Sequence, residues 1–309
     1  MQQEKIMIHS HFDNTPISVL MVIPTKPPKA IVQLVHGMSE HKERYLDVMN
    51  YLAEQGFVCV IHDHRGHGES IRDQSELGYM NKNGAKGLIE DTNQVHHLIR
   101  KKYRHIPLFL LGHSMGALVV RAYIKRSDRV VDGLIVIGSP SYNPASKLAM
   151  YLAKLMGKVM GEKEKGSIFH KLAFGKFNHK VNDFSSPYAW ICSNTEVVKE
   201  YDQDEYCGFV FTMNGFEHLF RLMTKVYSTN HWHINKPKLP ILFLSGEEDP
   251  CMLNKKKFEE SIELMHKVGY HNVSSKLYKN MRHEILNETS KEKVYHDIAT
   301  QLEIWLEHN

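Results

Sequence analysis

A mostly parallel α/β sheet carrying one inserted helical segment is predicted by three observations. Short apolar runs alternate with amphipathic stretches, one interval between runs is far too long for a crossover, and a glycine-framed serine stands between a run and a helix. The apolar runs occupy residues 17–23, 30–35, 57–61, 108–111, 131–137 and 239–244 and read as strands, and residues 273–278 alternate enough to be the last one. Between them, residues 43–55, 85–103, 115–125, 255–268 and 289–306 place apolar side chains three and four apart, the period of a helix with one buried face. Parallel neighbours cannot be joined by a tight turn, so helical crossovers of this length are what such a sheet requires.

About 100 residues separate the strand ending near Gly138 from the one starting at 239, whereas a crossover needs a few dozen at most. Residues 139–238 are therefore expected to form a helical cap, dividing the core into 1–138 and 239–309. Within it, residues 145–160 carry Leu148, Leu152, Leu155 and Val159 as an apolar stripe opposite Lys147, Lys154 and Lys158, the pattern of a helix that packs by one face. The charged piece Glu162-Lys163-Glu164-Lys165 marks an exposed turn.

Composition bounds the function classes. With 309 residues, 42% apolar and 24% charged, the chain has the balance of a globular protein and excludes disordered, collagenous and membrane-embedded classes. A formal net charge of +4 is too mild for a nucleic-acid footprint, and no polyanion partner is implied. Cys59, Cys192, Cys207 and Cys251 are scattered without CxxC spacing, so reduced thiols and a cytoplasmic location are expected. Residues 1–10 lack the apolar core of a secretory signal, and no run reaches the roughly 18 apolar residues of a membrane span. The cap's lysine face leaves transient contact with an anionic membrane surface open. Oligomeric state is not legible.

Gly112-His113-Ser114-Met115-Gly116 follows the run 108–111 and precedes the helical stretch from 117. A serine in a strand-to-helix turn adopts a strained backbone, and glycines two residues to either side relieve the crowding so that Oγ projects above the sheet. Ser114 is thereby the candidate nucleophile, and the first helical N–H, that of Met115, is aimed at negative charge forming beside it. A hydroxyl needs an imidazole to take its proton and a carboxylate to orient that imidazole. In the α/β-hydrolase order the acid comes next and the base last. Asp249, in the loop after 239–244, is the candidate acid, with Glu247 and Glu248 as local rivals. His283, in the loop after 273–278, is the candidate base among 21 histidines. The backbone N–H of Met38, after strand 30–35, is the candidate second oxyanion donor.

His62-Asp63-His64-Arg65-Gly66-His67-Gly68 has the H-x-H spacing of an H-x-H-x-D-H metal-ligand run, but Gly66 stands where that run requires Asp. A sharp glycine-permitted turn after the fourth strand is expected instead, with no metal and no cofactor.

His36-Gly37-Met38-Ser39-Glu40-His41 with Arg44-Tyr45 resembles an HGxxEH…RY segment, and His62 through Ser70 resembles a DxRGHGxS turn, both from the α/β-hydrolase group that includes monoacylglycerol lipases and bacterial lysophospholipases. The cap stretch from Ser193-Asn194 through Tyr201 and Asp204 to Phe211-Thr212 is similar to that group's, and Gly246-Glu247-Glu248-Asp249 and His283 match its acid and base loops. The resemblance implies an eight-stranded sheet and hydrolysis of a small lipid-like ester, with Ser114, Asp249 and His283 as triad and Met38 and Met115 as oxyanion donors. Phe169, Phe174, Phe177, Phe184, Tyr188, Trp190, Phe209, Phe211, Phe216 and Phe220 could line an acyl tunnel or simply pack the cap on its core. Rival readings are an aminopeptidase-like amidase, with an ammonium held by Glu196, Glu200, Asp202, Asp204 and Glu205, a short-chain carboxylesterase, and a non-catalytic binding module.

Overall fold

The computed structural model describes residues 1–308. The chain opens on a strand that the apolar runs do not announce. β1 (Gln2–His9) alternates exposed and half-buried residues, and only Ile6 and Ile8 pack inward, because it lies at the sheet edge against β2 (Pro16–Ile23). Then come β3 (Ala30–Val35), α1 (Leu46–Glu54), β4 (Phe57–His62), α2 (Gly84–Lys102), β5 (Leu108–His113), α3 (Met115–Ser127) and β6 (Gly133–Ile137). The helix expected over 43–55 is split, its first turn being the 3-10 segment Lys42–Tyr45.

The interval after β6 holds α4 (Ala145–Met160), α5 (Ser167–Phe174), α6 (Phe177–Val181), α7 (Thr195–Gln203) and α8 (Met213–Tyr227). The sheet resumes with β7 (Ile241–Gly246), α9 (Lys255–Val268), β8 (Val273–Tyr278) and α10 (Lys291–Glu307). The eight strands lie in the order β1-β2-β4-β3-β5-β6-β7-β8; β1 and β2 run antiparallel to their neighbours and the rest are parallel. Central strands β3 to β6 are buried along their whole length, as parallel strands covered on both faces must be. One apolar layer gathers α1 and α10, with Leu52, Val294 and Leu302, on one face of the sheet; the other gathers α2, α3 and α8, with Leu88, Leu118 and Leu222.

One expectation is reversed in the cap. The stripe Leu148, Leu152, Leu155 and Val159 on α4 is 44–79% exposed, and the buried face is Ser146, Met150, Ala153 and Gly157. Small residues win because α8 lies close alongside: a Cβ on Gly157 would come within 3.4 Å of the Met213 Cβ, and Ser146 Oγ lies 2.9 Å from Met223 Sδ. The large apolar side chains are left facing outward, as are Lys147, Lys154 and Lys158.

The turn after β4 is a structural knot. Asp63 accepts hydrogen bonds from the backbone N–H groups of Lys42 and Glu69 and from Lys42 Nζ, and a Cβ on Gly68 (φ +46) would collide with its carboxylate. Arg65 reaches from the same turn to Asp91 on α2 and to Asp13. His62, His64 and His67 pack ring on ring, with His64 contacting His36 at 4.4 Å between centroids, and burial holds all three imidazoles below their usual pKa.

Candidate active site

Ser114 sits at the junction of β5 and α3 with φ 53 and ψ −116, a strained backbone that lifts its side chain above the sheet. The two flanking glycines are required by contact distance. A Cβ on Gly112 would stand 2.5 Å from the Gly116 carbonyl oxygen, and one on Gly116 would strike the carbonyls of Val35 and His36. The loop after β3 presses on the same place, since a Cβ on Gly37 would lie 3.1 Å from the Ser114 Cβ. Met38 and Met115 border one cavity together with Ser114 and His283.

Asp249 follows β7 and is buried, whereas its rivals Glu247 and Glu248 are exposed. It accepts from Ser245 Oγ (3.0 Å) and from the Cys251 backbone N–H (2.8 Å), and both its oxygens lie 3.0 Å from His283 Nδ1. These bonds select the tautomer in which Nδ1 donates to Asp249 and Nε2 keeps its lone pair. Burial opposes a charge on His283, but the charge of Asp249 and its hydrogen bond outweigh it and leave the imidazole raised above its ordinary value. Nε2 lies 3.9 Å from Cys251 Sγ, and no hydrogen bond joins it to Ser114 among the described residues. Room for the imidazole is made by Gly138 (φ +53), where a Cβ would come within 3.2 Å of the ring.

A second layer of side chains was visible in the sequence only as part of the HGxxEH…RY segment. Glu40 is buried and accepts from the Gly37 N–H (2.5 Å), from Tyr45 OH (2.8 Å) and from Arg44 (2.9 Å), with His113 Nδ1 at 3.1 Å. Burial alone would raise its carboxyl pKa, yet the bond to His113 and the Arg44 charge hold it below the usual range. Glu40 thus fixes the backbone of the loop that presents Met38. Arg44 also grips Glu284, the residue after His283, with two bonds of 2.7 Å. The loop bearing Met38 and the loop bearing His283 therefore share one guanidinium. The HGxxEH…RY spacing signalled that these residues matter; their partner, 240 residues away, was not visible.

The cap closes over this floor. Tyr201 OH donates to the Ser39 carbonyl (2.7 Å), Ser39 Oγ donates to the Phe209 carbonyl (2.7 Å), and His41 Nε2 lies 2.8 Å from Asp204. The cavity beneath it is about 380 Å³ and is lined by Phe174, Phe177, Tyr188, Trp190 and Phe220 among the aromatic residues considered above. Phe169, Phe211 and Phe216 are instead buried in packing, Phe209 stacks on Phe211 and meets His67 edge to face, and Phe184 is exposed. Of the cap carboxylates, Glu196, Glu200, Asp202 and Glu205 are exposed and Asp204 is engaged by His41; none borders the cavity.

A family model described as Hydrolase_4, "Serine aminopeptidase, S33", matches residues 26–290. The rat (Rattus norvegicus) monoglyceride lipase is 24% identical over 298 residues, covering 92% of this chain and 84% of that one. A Monkeypox virus monoglyceride lipase homolog is 33% identical over 145 residues, but the match spans only 44% of this chain and 48% of the viral one. Among solved structures, a thermostable carboxyl esterase from Bacillus coagulans in complex with glycerol superposes with a TM-score of 0.91 at 24% identity over 99% of both chains, which shows the shared fold. The strained serine turn, the eight-stranded sheet and the match over residues 26–290 lead to one assignment: the chain belongs to the Hydrolase_4 family of α/β-hydrolases and is a serine hydrolase of the lipase and esterase group.

Proposed function

We propose that the protein hydrolyses a single-chain carboxylic ester, a monoacylglycerol or a lysophospholipid, through an acyl-enzyme on Ser114. The observation that carries this reading is the pairing of an Asp249-oriented His283 with an aromatic cavity of about 380 Å³ above Ser114. Ser114 Oγ attacks the ester carbonyl carbon while His283 Nε2 takes its proton, and the N–H groups of Met38 and Met115 stabilise the resulting oxyanion. Collapse of this intermediate expels the alcohol, which leaves with the proton held on Nε2. Water, deprotonated by the same nitrogen, then attacks the acyl-serine and releases the fatty acid. Asp249 holds the tautomer throughout. Residues 139–238 serve as the cap that encloses the acyl chain.

The family model's description raises amide cleavage as a second reading. An aminopeptidase must hold a substrate ammonium, and the carboxylates that reach the cavity, Glu40 and Glu284, are already held by Arg44. Ester cleavage is the better fit. Wild type should react with a fluorophosphonate probe and turn over monoacylglycerols or lysophospholipids faster than aminoacyl anilides. Ser114→Ala should lose both labelling and turnover, and retention of either would overturn the assignment.

The outward apolar face of α4, with Lys147, Lys154 and Lys158 on the same helix, suits a lipid surface from which such a substrate is drawn. No helix among the described residues is long and apolar enough to cross a membrane, so this contact is peripheral. The four cysteines are free and buried, which fits the reducing cytoplasm.

A further inference from the structure

Cys251 is a neighbour of His283 that ester hydrolysis does not require. Its Sγ lies 3.9 Å from His283 Nε2, both residues border the cavity, and both are buried. A carboxylate oxygen of Asp249 completes a group whose three ligand-type atoms all lie within 4.8 Å of one another. Tetrahedral zinc with bonds of about 2.3 Å to sulfur and 2.05 Å to nitrogen sets those two atoms about 3.6 Å apart, so closing the gap takes a shift of about 0.3 Å. Nε2 offers its lone pair because Nδ1 is committed to Asp249, the carboxylate–histidine arrangement that orients zinc-binding imidazoles.

A second cluster makes the contrast. His41, Asp204 and Cys207 are grouped as closely, but both nitrogens of His41 are taken, by Glu43 at 2.7 Å and Asp204 at 2.8 Å. That imidazole has no lone pair free for a metal.

We propose that Cys251 Sγ and His283 Nε2 form a clasp for a thiophilic divalent cation, zinc in the first place, and that its occupancy reversibly blocks the hydrolase. Thiolate and imidazole ligands select zinc or cadmium over magnesium or calcium. On binding, the Cys251 thiol releases its proton to solvent and the sulfur donates an electron pair to the metal. Water from the cavity fills the remaining coordination positions. His283 Nε2 then has no pair with which to take the Ser114 proton. The clasp rests on the hydrolase reading only for this effect on turnover; metal binding does not depend on it.

The test titrates the reduced, full-length protein with cadmium and follows the ultraviolet thiolate-to-cadmium charge-transfer band, a readout that needs no substrate. The band should appear in wild type and in Cys207→Ala, and be lost in Cys251→Ser, which keeps the size and backbone N–H of the residue. His283→Gln should weaken the band even if Cys251→Ser folds poorly. Zinc should slow fluorophosphonate labelling of Ser114 in wild type, with a chelator restoring it, and the zinc concentration for half-protection should rise at least about tenfold in Cys251→Ser. No band in wild type, a band that survives Cys251→Ser, or a band lost instead in Cys207→Ala overturns the clasp. Failure of ester turnover alongside an intact, Cys251-dependent band overturns the hydrolase reading and leaves the metal site standing.

Discussion

The outward face of α4 gives a prediction whose size follows from exposure. Leu155 is 59% and Val159 is 79% exposed, and neither is needed to hold the cap on the core. Fully burying such a side chain contributes about 1.5–3 kcal/mol. Weighted by exposure, Leu155→Gln with Val159→Gln removes up to about 2–4 kcal/mol of insertion energy, or roughly 30- to 700-fold in vesicle partitioning. Glutamine is a good helix former, so the unfolding midpoint should barely move, as expected of a surface change worth under about 0.5 kcal/mol. Sedimentation with neutral phosphatidylcholine vesicles isolates the apolar contribution. A parallel series with anionic vesicles adds that of Lys147, Lys154 and Lys158. If wild type stays in the supernatant with both vesicle types, or the double variant binds neutral vesicles as tightly as wild type, the face does not dock on lipid. Concentration-dependent self-association lost in the double variant would assign the face to a second copy instead.

Asp249→Asn should lower kcat by about 10⁴ through loss of the imidazole's orientation, while Glu248→Gln, exposed and outside the cavity, should match wild type in steady-state ester hydrolysis. Because Asp249 raises the folded pKa of His283, the imidazole remains protonated and unable to act as a base to a higher pH than a free one. The acid limb of kcat/KM should therefore have its midpoint above about 6.5. A limb at or below that value contradicts the coupling. Arg44→Met leaves Glu40 and Glu284 buried without their shared cation and should cost about 3–5 kcal/mol in denaturant unfolding. Arg44→Lys should recover only part of it, since a lysine cannot reproduce the two-bond grip on Glu284.

Seven of the eight strands were legible, six because a strand buried on both faces is a continuous apolar run and β8, largely exposed, through its alternation. β1 was not, because Glu4 and Lys5 interrupt it and an edge strand buries too little to leave a run. Ser114, Asp249 and His283 could be named as candidates because the α/β-hydrolase order sets their sequence and each follows a strand. The grip of Arg44 on Glu284 could not, since nothing local to either residue reports a partner brought near by folding. The α4 stripe misled for a related reason: amphipathic spacing reports two different faces, and the choice between them was made by the close approach of α8, a property of another segment.

The long excursion between β6 and β7 departs beside Leu244, where the Gly138 N–H bonds the Leu244 carbonyl at 2.8 Å, and returns at the other end of the same strand pair, where Leu134 stands in register with Ile241. An insertion whose two ends are fixed by the sheet can change length cheaply, at about 0.6 kcal/mol for each doubling. Within residues 139–238 the return across the sheet face is made by α8, packed with α2 and α3, so the stretch ahead of α8 is the part that can vary while the sheet and its loops stay where they are. A graft must still supply an anchor for the Ser39 carbonyl, now met by Tyr201, and acceptors for Arg282, now the Ala189 and Cys192 carbonyls. With the Ser39–Phe209 and His41–Asp204 contacts, those joints are part of the socket into which a different roof, and with it a different substrate range, would fit.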